Sequence, residues 1–306
     1  MDGIIVINKP QGLTSHQVTQ RLRRLYPGHK AGHSGTLDPM ATGVLPVCLG
    51  QATRLTEYII DLPKIYRAEI TLGRTTTTED ATGETLEERK IPALTEAEVS
   101  SLLASFIGET VQIPPAYSAV KYKGKPLYHW TRKGEAAPRR ERIVYIYRIE
   151  LLKFTAEQSP QVTCIIECAK GTYIRTLAAD LGRLIGCGAH LSGLTRLAVG
   201  PYRLEDATDL DELERMVEGE KGSGPIQGMD SAVAHIPALT LPPERVNDLR
   251  CGRIININEL ALEETALSSE QALFRIYGID KRFKALASLN VSADGHYLKT
   301  VKYLER

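Results

Sequence analysis

Residues 32–43 read GHSGTLDPMATG and combine three glycines, one histidine and one carboxylate followed directly by proline. Pro39 fixes its own φ and moves Asp38 out of the helical region. The carboxylate of Asp38 is therefore expected on a stiff, irregular loop, where it could act on a group that enters a cleft. Asp-Pro is also a common turn for purely structural reasons, so the stretch alone does not separate a turn from a catalytic aspartate.

Further segments before and after this stretch stand in a definite order along the chain. NKPQG occupies residues 8–12, KIYRA residues 64–68, and KGTYIR residues 170–175, with GCGAHL at 186–191 and LTRL at 194–197 after it. Together with residues 32–43, these segments resemble the signature motifs of the TruB family, whose members make pseudouridine in the T-loop of tRNA. The resemblance covers residues 1 to about 230.

The resemblance implies an isomerase that converts uridine at position 55 of the tRNA T-loop. Asp38 would be the nucleophile, or the base that starts an elimination, and the sequence leaves both routes open. Tyr66 would stack on the uracil and could relay the proton from C5, although it otherwise looks like a core tyrosine. Arg175 would stay charged beside Asp38 and pair with it, where a surface ion pair is the plainer interpretation.

The same resemblance implies further contacts with RNA. The target base must be flipped out of the T-loop. His33 would wedge into the loop, or else be an ordinary loop histidine. Leu194 would line the pocket, and Tyr173 would contact the RNA beside Arg175. Lys9 is grouped with these residues, although Lys9 and Pro10 are expected to shape the floor below Asp38 rather than to do chemistry.

A basic segment, residues 121–148, stands out although the net charge of the chain is only +1. It holds nine Lys and Arg against Glu135 and Glu141, with Tyr122, Tyr128 and Trp130 interleaved. Interleaved cations and aromatic rings are typical of RNA contact, and a solvated face is the alternative. The predicted contacts are Lys121, Lys123, Arg132, Lys133, Arg139, Arg140 and Arg142.

Strand and helix patterns mix without regular alternation, which predicts an α+β fold with a mixed, largely antiparallel sheet flanked by helices. Lys64 to Gly73 alternates, so Tyr66 lies on an apolar face. Further strands are predicted at 4–7, 44–49, 142–154 and 161–168, and helices at 53–60, 174–185, from Thr14 to 26 and from Thr95 to 106, the last two with capping boxes.

The chain is expected to divide into a catalytic domain at 1–230 and a smaller domain at 231–306. Gly and Ser cluster at 219–228, and short strands are predicted at 273–277, 283–289 and 296–304 after a helix that ends at Cys251. The resemblance implies that this β-barrel-like unit is a PUA-type RNA-binding domain. Residues 259–271 form an acidic and polar insertion without an assigned place.

Several classes of protein are disfavoured by the sequence. It contains neither G-x-G-x-x-G nor a Walker A motif, and no His/Cys cluster at metal spacing, so no cofactor and no metal are expected. A metal-dependent phosphoryl enzyme would need a second carboxylate near Asp38, and no D-x-D pair is present. A non-catalytic RNA-binding or folding protein remains an alternative.

Composition indicates a cytoplasmic protein. No apolar run is long enough for a bilayer and no leader opens the chain. The five cysteines form no CxxC pair, and Cys164 and Cys168 are expected as buried, reduced thiols. No coiled-coil pattern calls for a protein partner, so a monomer that binds the tRNA stem-loop is expected.

Overall fold

The computed structural model describes residues 1–118, 120–131, 133–135, 137–156, 160–219, 224–257, 273–292 and 295–305. Its strands, in chain order, are β1 (Gly3–Lys9), β2 (Ala31–His33), β3 (Thr42–Leu49), β4 (Lys64–Leu72), β5 (Arg74–Thr76), β6 (Thr85–Glu88), β7 (Gly108–Gln112), β8 (Lys121–Tyr122), β9 (Lys125–Pro126), β10 (Arg142–Thr155), β11 (Gln161–Cys168), β12 (Ala189–Val199), β13 (Tyr202–Arg203), β14 (Thr208–Asp209), β15 (Ala238–Leu241), β16 (Ile255–Asn256), β17 (Leu273–Gly278), β18 (Phe283–Ser292) and β19 (Gly295–Tyr303). Its α-helices are α1 (Ser15–Leu25), α2 (Thr56–Asp61), α3 (Glu96–Ala104), α4 (Leu127–Thr131), α5 (Ile174–Ile185), α6 (Leu210–Glu218) and α7 (Pro243–Arg250). Two 3-10 helices span Gly50–Leu55 and Met229–Val233.

The larger sheet has ten strands and runs β14-β1-β3-β12-β4-β11-β10-β7, with β2 on β3 and β13 on β12. Only the β1–β14 and β3–β12 pairs are parallel among these. The predicted mixed, largely antiparallel sheet is confirmed. Strand β4 lies near its centre, between β12 and β11, and its alternation buries Tyr66, Ala68, Ile70 and Leu72 on one face.

The helices follow the predicted signals closely, with two corrections. Thr14 and Thr95 both complete capping boxes, and α5 ends at Gly186, whose φ is 86°. The helix predicted at 53–60 is instead a 3-10 helix over Gly50–Leu55 that continues as α2. The helix from Thr95 ends at Ala104 rather than Phe106, which packs into the core after the helix has turned.

The sheet has a core on each face. One face packs against α1, α3 and α5 and buries Leu22, Leu103, Leu177 and the Tyr66 row of β4. The other face buries Ile4 and Val44 against Ile59 and the 3-10 helix at Met229–Val233. The catalytic candidates therefore belong to the first core.

The C-terminal residues form a second, five-stranded sheet in the order β15-β17-β18-β19-β16. The predicted short strands and the helix ending near Cys251 are all present. Leu286 and Leu304 of this unit belong to the same buried cluster as Ile4 and Val44, so the unit packs against the second face of the larger sheet. Residues 259–271 and residues 220–223 of the predicted linker lie outside the described residues. The division at residue 230 and the PUA-type assignment stay predictions.

Two further expectations concern exposure. Cys48, Cys164, Cys168 and Cys187 are buried free thiols, whereas Cys251 is exposed. Within the described ranges, no helix is both long and apolar enough to cross a membrane.

Candidate active site

The loop that carries Asp38 is held from both sides by hydrogen bonds. The Gly12 amide donates to the Pro39 carbonyl at 2.7 Å. The Leu37 amide donates to Ser15 Oγ at 2.8 Å, and that hydroxyl donates back to the Leu37 carbonyl at 3.2 Å. Because the residues on both sides of Asp38 are tied to the N-terminal segment, the carboxylate has a fixed position.

Lys9 lies below this loop and is fully buried. Its Nζ donates to the carbonyls of Pro10, Leu13 and Pro39 at 2.8, 2.7 and 3.4 Å. Burial lowers the pKa of Lys9 to about 8, although the charge of Asp38 opposes this shift. An RNA contact by this ammonium would have to replace these hydrogen bonds, so the geometry favours the floor role over the predicted contact.

Arg175 and Asp38 form a two-point ion pair. Nε of Arg175 lies 2.9 Å from Oδ2 of Asp38, and Nη2 donates to Oδ1 at 3.1 Å. The guanidinium also donates to the carbonyls of Thr78 at 3.1 Å and Tyr117 at 3.0 Å. The side chain of Arg175 is 6% exposed and that of Asp38 is 35% exposed. The predicted partners are thus brought together, and the carboxylate keeps an open side.

Asp80 brings a second carboxylate to the same arginine. Its Oδ2 lies 3.6 Å from Nη1 of Arg175. Its Oδ1 accepts from the hydroxyls of Thr78 and Thr82, both at 2.6 Å, and from the Thr82 amide at 2.9 Å. The predicted turn role therefore holds, but the absence of a second carboxylate near Asp38, inferred from the missing D-x-D pair, was wrong. The part of the chain that the structure describes still contains no group of three or more potential metal ligands.

The pKa of Asp38 reflects opposing causes. Burial raises this pKa most, and the nearby charge of Asp80 raises it further. The guanidinium of Arg175 lowers it, both as a charge and as a hydrogen-bond donor, and Lys9 lowers it as a charge. The net direction is upward from the ordinary value, so a raised fraction of Asp38 is protonated in weakly acidic solution.

Tyr66 lies in the buried row of β4, where it is 9% exposed. Burial raises the pKa of its phenol, and the charge of Asp38 raises it further. The guanidinium of Arg196 opposes both effects as a charge and a hydrogen-bond donor. The phenol is therefore neutral at physiological pH.

Arg196 is a site residue that sequence reasoning missed, although it was quoted within the LTRL segment. It is 1% exposed, and donates from Nε to the Val44 carbonyl at 2.7 Å and from Nη2 to the Gly35 carbonyl at 3.1 Å. It thereby connects β12, β3 and the loop of Asp38. A cation inside an otherwise apolar strand pattern was the available signal, because buried charges need specific partners.

Gly43 explains how this strand pair comes so close. Its φ is +99°, and a Cβ at this position would lie 2.2 Å from the Arg196 carbonyl oxygen. Thr42 and Thr195, directly opposite each other, join their hydroxyls at 3.0 Å. Only glycine at position 43 permits this parallel pairing, which places Arg196 beside the loop.

The start of α5 is fixed by Gln112, which the sequence did not single out. Its side chain accepts from the Tyr173 amide at 3.0 Å and donates to the Tyr173 carbonyl at 3.1 Å. Gln112 is 1% exposed. This side chain holds the turn from which Arg175 reaches Asp38, and burial raises the pKa of the Tyr173 phenol nearby.

His33 and Leu194 both lie half-buried near the loop. His33 ends β2, and its Nδ1 is buried without a hydrogen-bond partner among the described residues. Burial lowers the pKa of His33, so the imidazole is neutral at physiological pH. Leu194 packs at the margin of the first core. Neither position conflicts with the predicted contacts, which stay predictions.

The basic segment presents its cations to solvent. Lys121, Lys123, Lys133, Arg139, Arg140 and Arg142 are exposed, and Arg132 lies outside the described residues. The aromatic rings are partly engaged with one another: Trp130 packs edge-on against Tyr122 at 5.8 Å and donates to its carbonyl at 3.2 Å. Exposed cations are compatible with RNA contact and with a solvated face, so both interpretations stay open. The rings of Tyr122 and Trp130 contact each other, so the predicted RNA contact depends more on the cations than on these rings.

Comparison with known proteins gives a consistent family signal. The sequence profile of the TruB family pseudouridylate synthase N-terminal domain matches residues 23–174, and that of the tRNA pseudouridylate synthase B C-terminal domain matches residues 175–234. Proteins named tRNA pseudouridine synthase B are similar over most of the chain. That of Idiomarina loihiensis is 42% identical over 90% of this chain and 89% of its own length. That of a Marinomonas species is 43% identical over 87% and 86%.

Solved structures share the fold. A Cbf5-Nop10-Gar1 complex contains a chain with a TM-score of 0.73 and 26% identity, covering 99% of this chain and 85% of that one. A chain of an H/ACA RNP bound to a substrate RNA containing 2′-deoxyuridine gives a TM-score of 0.74 at 24% identity, with the same coverage.

Proposed function

The chain belongs to the TruB family of pseudouridylate synthases, and we propose that it isomerises uridine-55 in the T-loop of tRNA to pseudouridine. The observation that carries the proposal is the fixed carboxylate of Asp38, paired at two points with Arg175 and open on one side. A carboxylate that faces a polyanion is costly for a protein that only binds RNA, whereas a nucleophile or base needs that position.

Asp38 takes the chemical step in this proposal. Its ionised carboxylate either attacks the flipped uridine or removes the proton that starts elimination of uracil. Arg175 keeps a useful fraction of the carboxylate ionised against the effect of burial. The bond from N1 to C1′ breaks, the uracil turns, and C5 is joined to C1′. The proton on C5 is lost to solvent while N1 gains a proton, and in the elimination route the proton taken from the ribose is returned to it, so substrate and product contain the same atoms.

Tyr66 supplies the apolar surface beside the carboxylate. Its buried ring stacks on the extruded uracil, and its hydroxyl relays the C5 proton. With a raised pKa the phenol is a weak free base, so the relay needs a partner to accept the proton as it passes. The carboxylate of Asp38, whose charge acts on this phenol, is that partner.

His33, Tyr173, Leu194 and the exposed cations of residues 121–142 hold the T-stem-loop around this centre. We include a PUA-type RNA-binding role for residues 231–306 and action as a monomer in the cytoplasm. Size-exclusion chromatography with light scattering, with and without tRNA, tests the oligomeric state. A stable dimer in the absence of tRNA would contradict the monomer.

Tritium release from C5-labelled uridine in an unmodified tRNA transcript tests the function. Wild-type protein is compared with Asp38→Ala and Asp38→Asn, with and without chelator. Release by the wild type alone, insensitive to chelator, is expected. Tight tRNA binding without release by any protein would favour the RNA-binding alternative, and loss of release with chelator would favour a metal enzyme.

A further inference from the structure

The N-terminal segment has an unusual charge pattern that the proposed site does not use. Residues 3–37 contain five Lys and Arg and three His, but no Asp or Glu. The chain as a whole is balanced, with 38 basic and 37 acidic residues. A one-signed stretch of this length creates a local field that the net charge hides.

Two of these cations are accounted for inside the fold. Lys9 is buried under the loop of Asp38. Arg21 lies between α1 and α6, 3.5 Å from Asp211 and 3.7 Å from Glu214. Neither residue is available for an external anion.

The remaining three Lys and Arg gather where α1 ends, beside His29, whose ring contacts the N-terminal nitrogen of Met1 at 3.2 Å. Arg23 and Arg24 lie in the last turn of α1, and His29 and Lys30 follow in the turn that leads to β2. Cations in the last turn of a helix stabilise it through the helix dipole. Arg23 also donates to the Ala31 carbonyl at 2.8 Å, so part of its role is structural. Arg24 and Lys30 are exposed and take part in no ion pair among the described residues, so their charges stay uncompensated.

An open cavity of about 680 Å³ lies at this cluster. Its wall is formed by residues 28–32 together with Arg23, Thr53 and Thr56, and contains no carboxylate. A Cβ added at Gly28 would meet no atom within 4 Å, so the backbone of the turn is open to a bulky ligand. Cations, hydroxyls and open backbone are the groups that bind phosphate in nucleic-acid complexes.

The cavity wall includes the first two residues of β2, Ala31 and Gly32. Gly32 directly precedes His33. Strand β2 pairs with β3, whereas the basic segment joins β10 near the opposite edge of the sheet. Because β1 fills one edge of β3, β2 lies on the same edge of β3 as β12. The two cationic surfaces are therefore separated by β4 and β11, a distance of about 14 Å for three strand spacings.

We propose that Arg23, Arg24 and Lys30 bind phosphates of the substrate RNA backbone, on the side of Asp38 opposite the basic segment. The inference rests on the proposed function for the identity of the RNA. When the target uridine occupies the site, the RNA would be bound on two sides, by this cluster and by the basic segment. His33 would lie between these two surfaces.

Salt dependence of tRNA binding tests this surface. In an Asp38→Asn background, Arg24→Gln with Lys30→Gln is compared with Arg21→Gln, a cation of the same helix that is turned toward α6. Each lost phosphate contact reduces the slope of log K against log salt by about 0.9. The double variant is expected to lose one to two units of slope and roughly tenfold in affinity at low salt, while Arg21→Gln keeps the slope of the background protein.

An unchanged slope in a double variant with a normal circular dichroism spectrum and unfolding midpoint would overturn the inference. So would a loss of slope in Arg21→Gln that is half or more of the loss in the double variant. Arg21→Gln removes one charge and the double variant removes two, so the effect would then come from total charge. Tritium release by the wild type is measured in parallel. No release together with a reduced slope in the double variant would reject the proposed function while leaving the phosphate surface in place.

Discussion

Arg175 contacts Asp38 through two hydrogen bonds while its remaining Nη1 lies 3.6 Å from Asp80. One guanidinium therefore serves two carboxylates, of which Asp80 is bound by threonine hydroxyls and Asp38 keeps an open side. Asp80 and the carbonyls of Thr78 and Tyr117 fix the guanidinium of Arg175, so the orientation of this group does not depend on Asp38. The arrangement holds the reactive carboxylate without covering it.

Replacing Arg175 separates its charge from its geometry. Arg175→Gln removes the cation that lowers the pKa of Asp38, so single-turnover tritium release should fall by about 100-fold or more. Because Asp38 must be ionised to react, activity falls as pH falls through its pKa, and this acid limb should move to higher pH in the Gln variant. Arg175→Lys keeps the charge and should leave the limb near that of the wild type while still reducing the rate. An unmoved acid limb in Arg175→Gln would contradict the role assigned to the charge.

Tyr66→Phe separates the ring of this residue from its hydroxyl. The variant keeps the buried aromatic surface and loses the proton relay, so release of tritium should slow by about 100-fold while tRNA affinity stays within several-fold. Rapid-quench kinetics with saturating enzyme measure the first quantity and filter binding the second. Unimpaired release would assign Tyr66 to stacking alone.

Local sequence signals predicted the elements and the chemistry-bearing positions, because those signals act over a few residues. The two capping boxes, the alternation of β4 and the glycine after α5 each specify one element. The order of the strands was not predictable in this way. Strand β12 lies between β3 and β4 although more than 100 residues separate it from either, and no local pattern encodes that partner choice.

The supporting residues of the site were missed for the same reason. Arg196 and Gln112 act on backbone groups far away in the chain, at Gly35, Val44 and Tyr173. Asp80 was assigned to a turn correctly, but its approach to Arg175 depends on the loop docking against β12 through the Ala81 amide and the Leu191 carbonyl. Motifs identified the reacting groups, and only the folded chain identified what holds them.

Gly43→Ala should destabilise the fold by more than the backbone strain that alanine meets at the positive φ of position 43. The new methyl would lie 2.2 Å from the Arg196 carbonyl oxygen and force β3 and β12 apart. We expect a loss of about 3 kcal/mol or more in the free energy of unfolding, measured with urea. Gly186→Ala is the matched control: its φ is +86° but no atom lies within 4 Å of the added methyl, so about 1–2 kcal/mol of backbone strain is expected. Equal losses in the two variants would show that the close approach at Gly43 has no cost of its own.

Lys9→Met tests the buried ammonium through the pH dependence of stability. The pKa of Lys9 is about 8 in the folded protein and 10.5 without burial. Between these values the unfolded chain binds more protons than the folded chain, so this lysine makes stability rise with pH. The free energy of unfolding, measured with urea between pH 8 and 9.5, should therefore rise less steeply with pH in Lys9→Met than in the wild type. The difference in slope is up to about 1.4 kcal/mol per pH unit. The pKa of Lys64 is also lowered to about 8, so Lys64 still makes stability rise with pH in Lys9→Met. Lys64→Met is therefore the parallel control. Identical slopes in wild type and Lys9→Met would mean that Lys9 stays protonated in the fold.

Reversing two charges of the basic segment tests whether it contacts RNA. Arg139 and Arg140 are exposed beside β10. Burial raises the pKa of Glu79 beside the candidate site, and Arg139 is close enough for its charge to oppose this rise. Arg139→Glu with Arg140→Glu should weaken tRNA binding by at least tenfold at low salt. It should also reduce the slope of log K against log salt by the equivalent of about two phosphate contacts. Arg74→Glu with Arg89→Glu, at exposed cations that are paired with Glu88 at 2.9 Å and Glu87 at 2.8 Å, makes the same change in net charge and is the control. If both variants shift binding equally, the segment is a solvated face; if only the first does, the phosphate backbone passes over the segment on its way to Asp38.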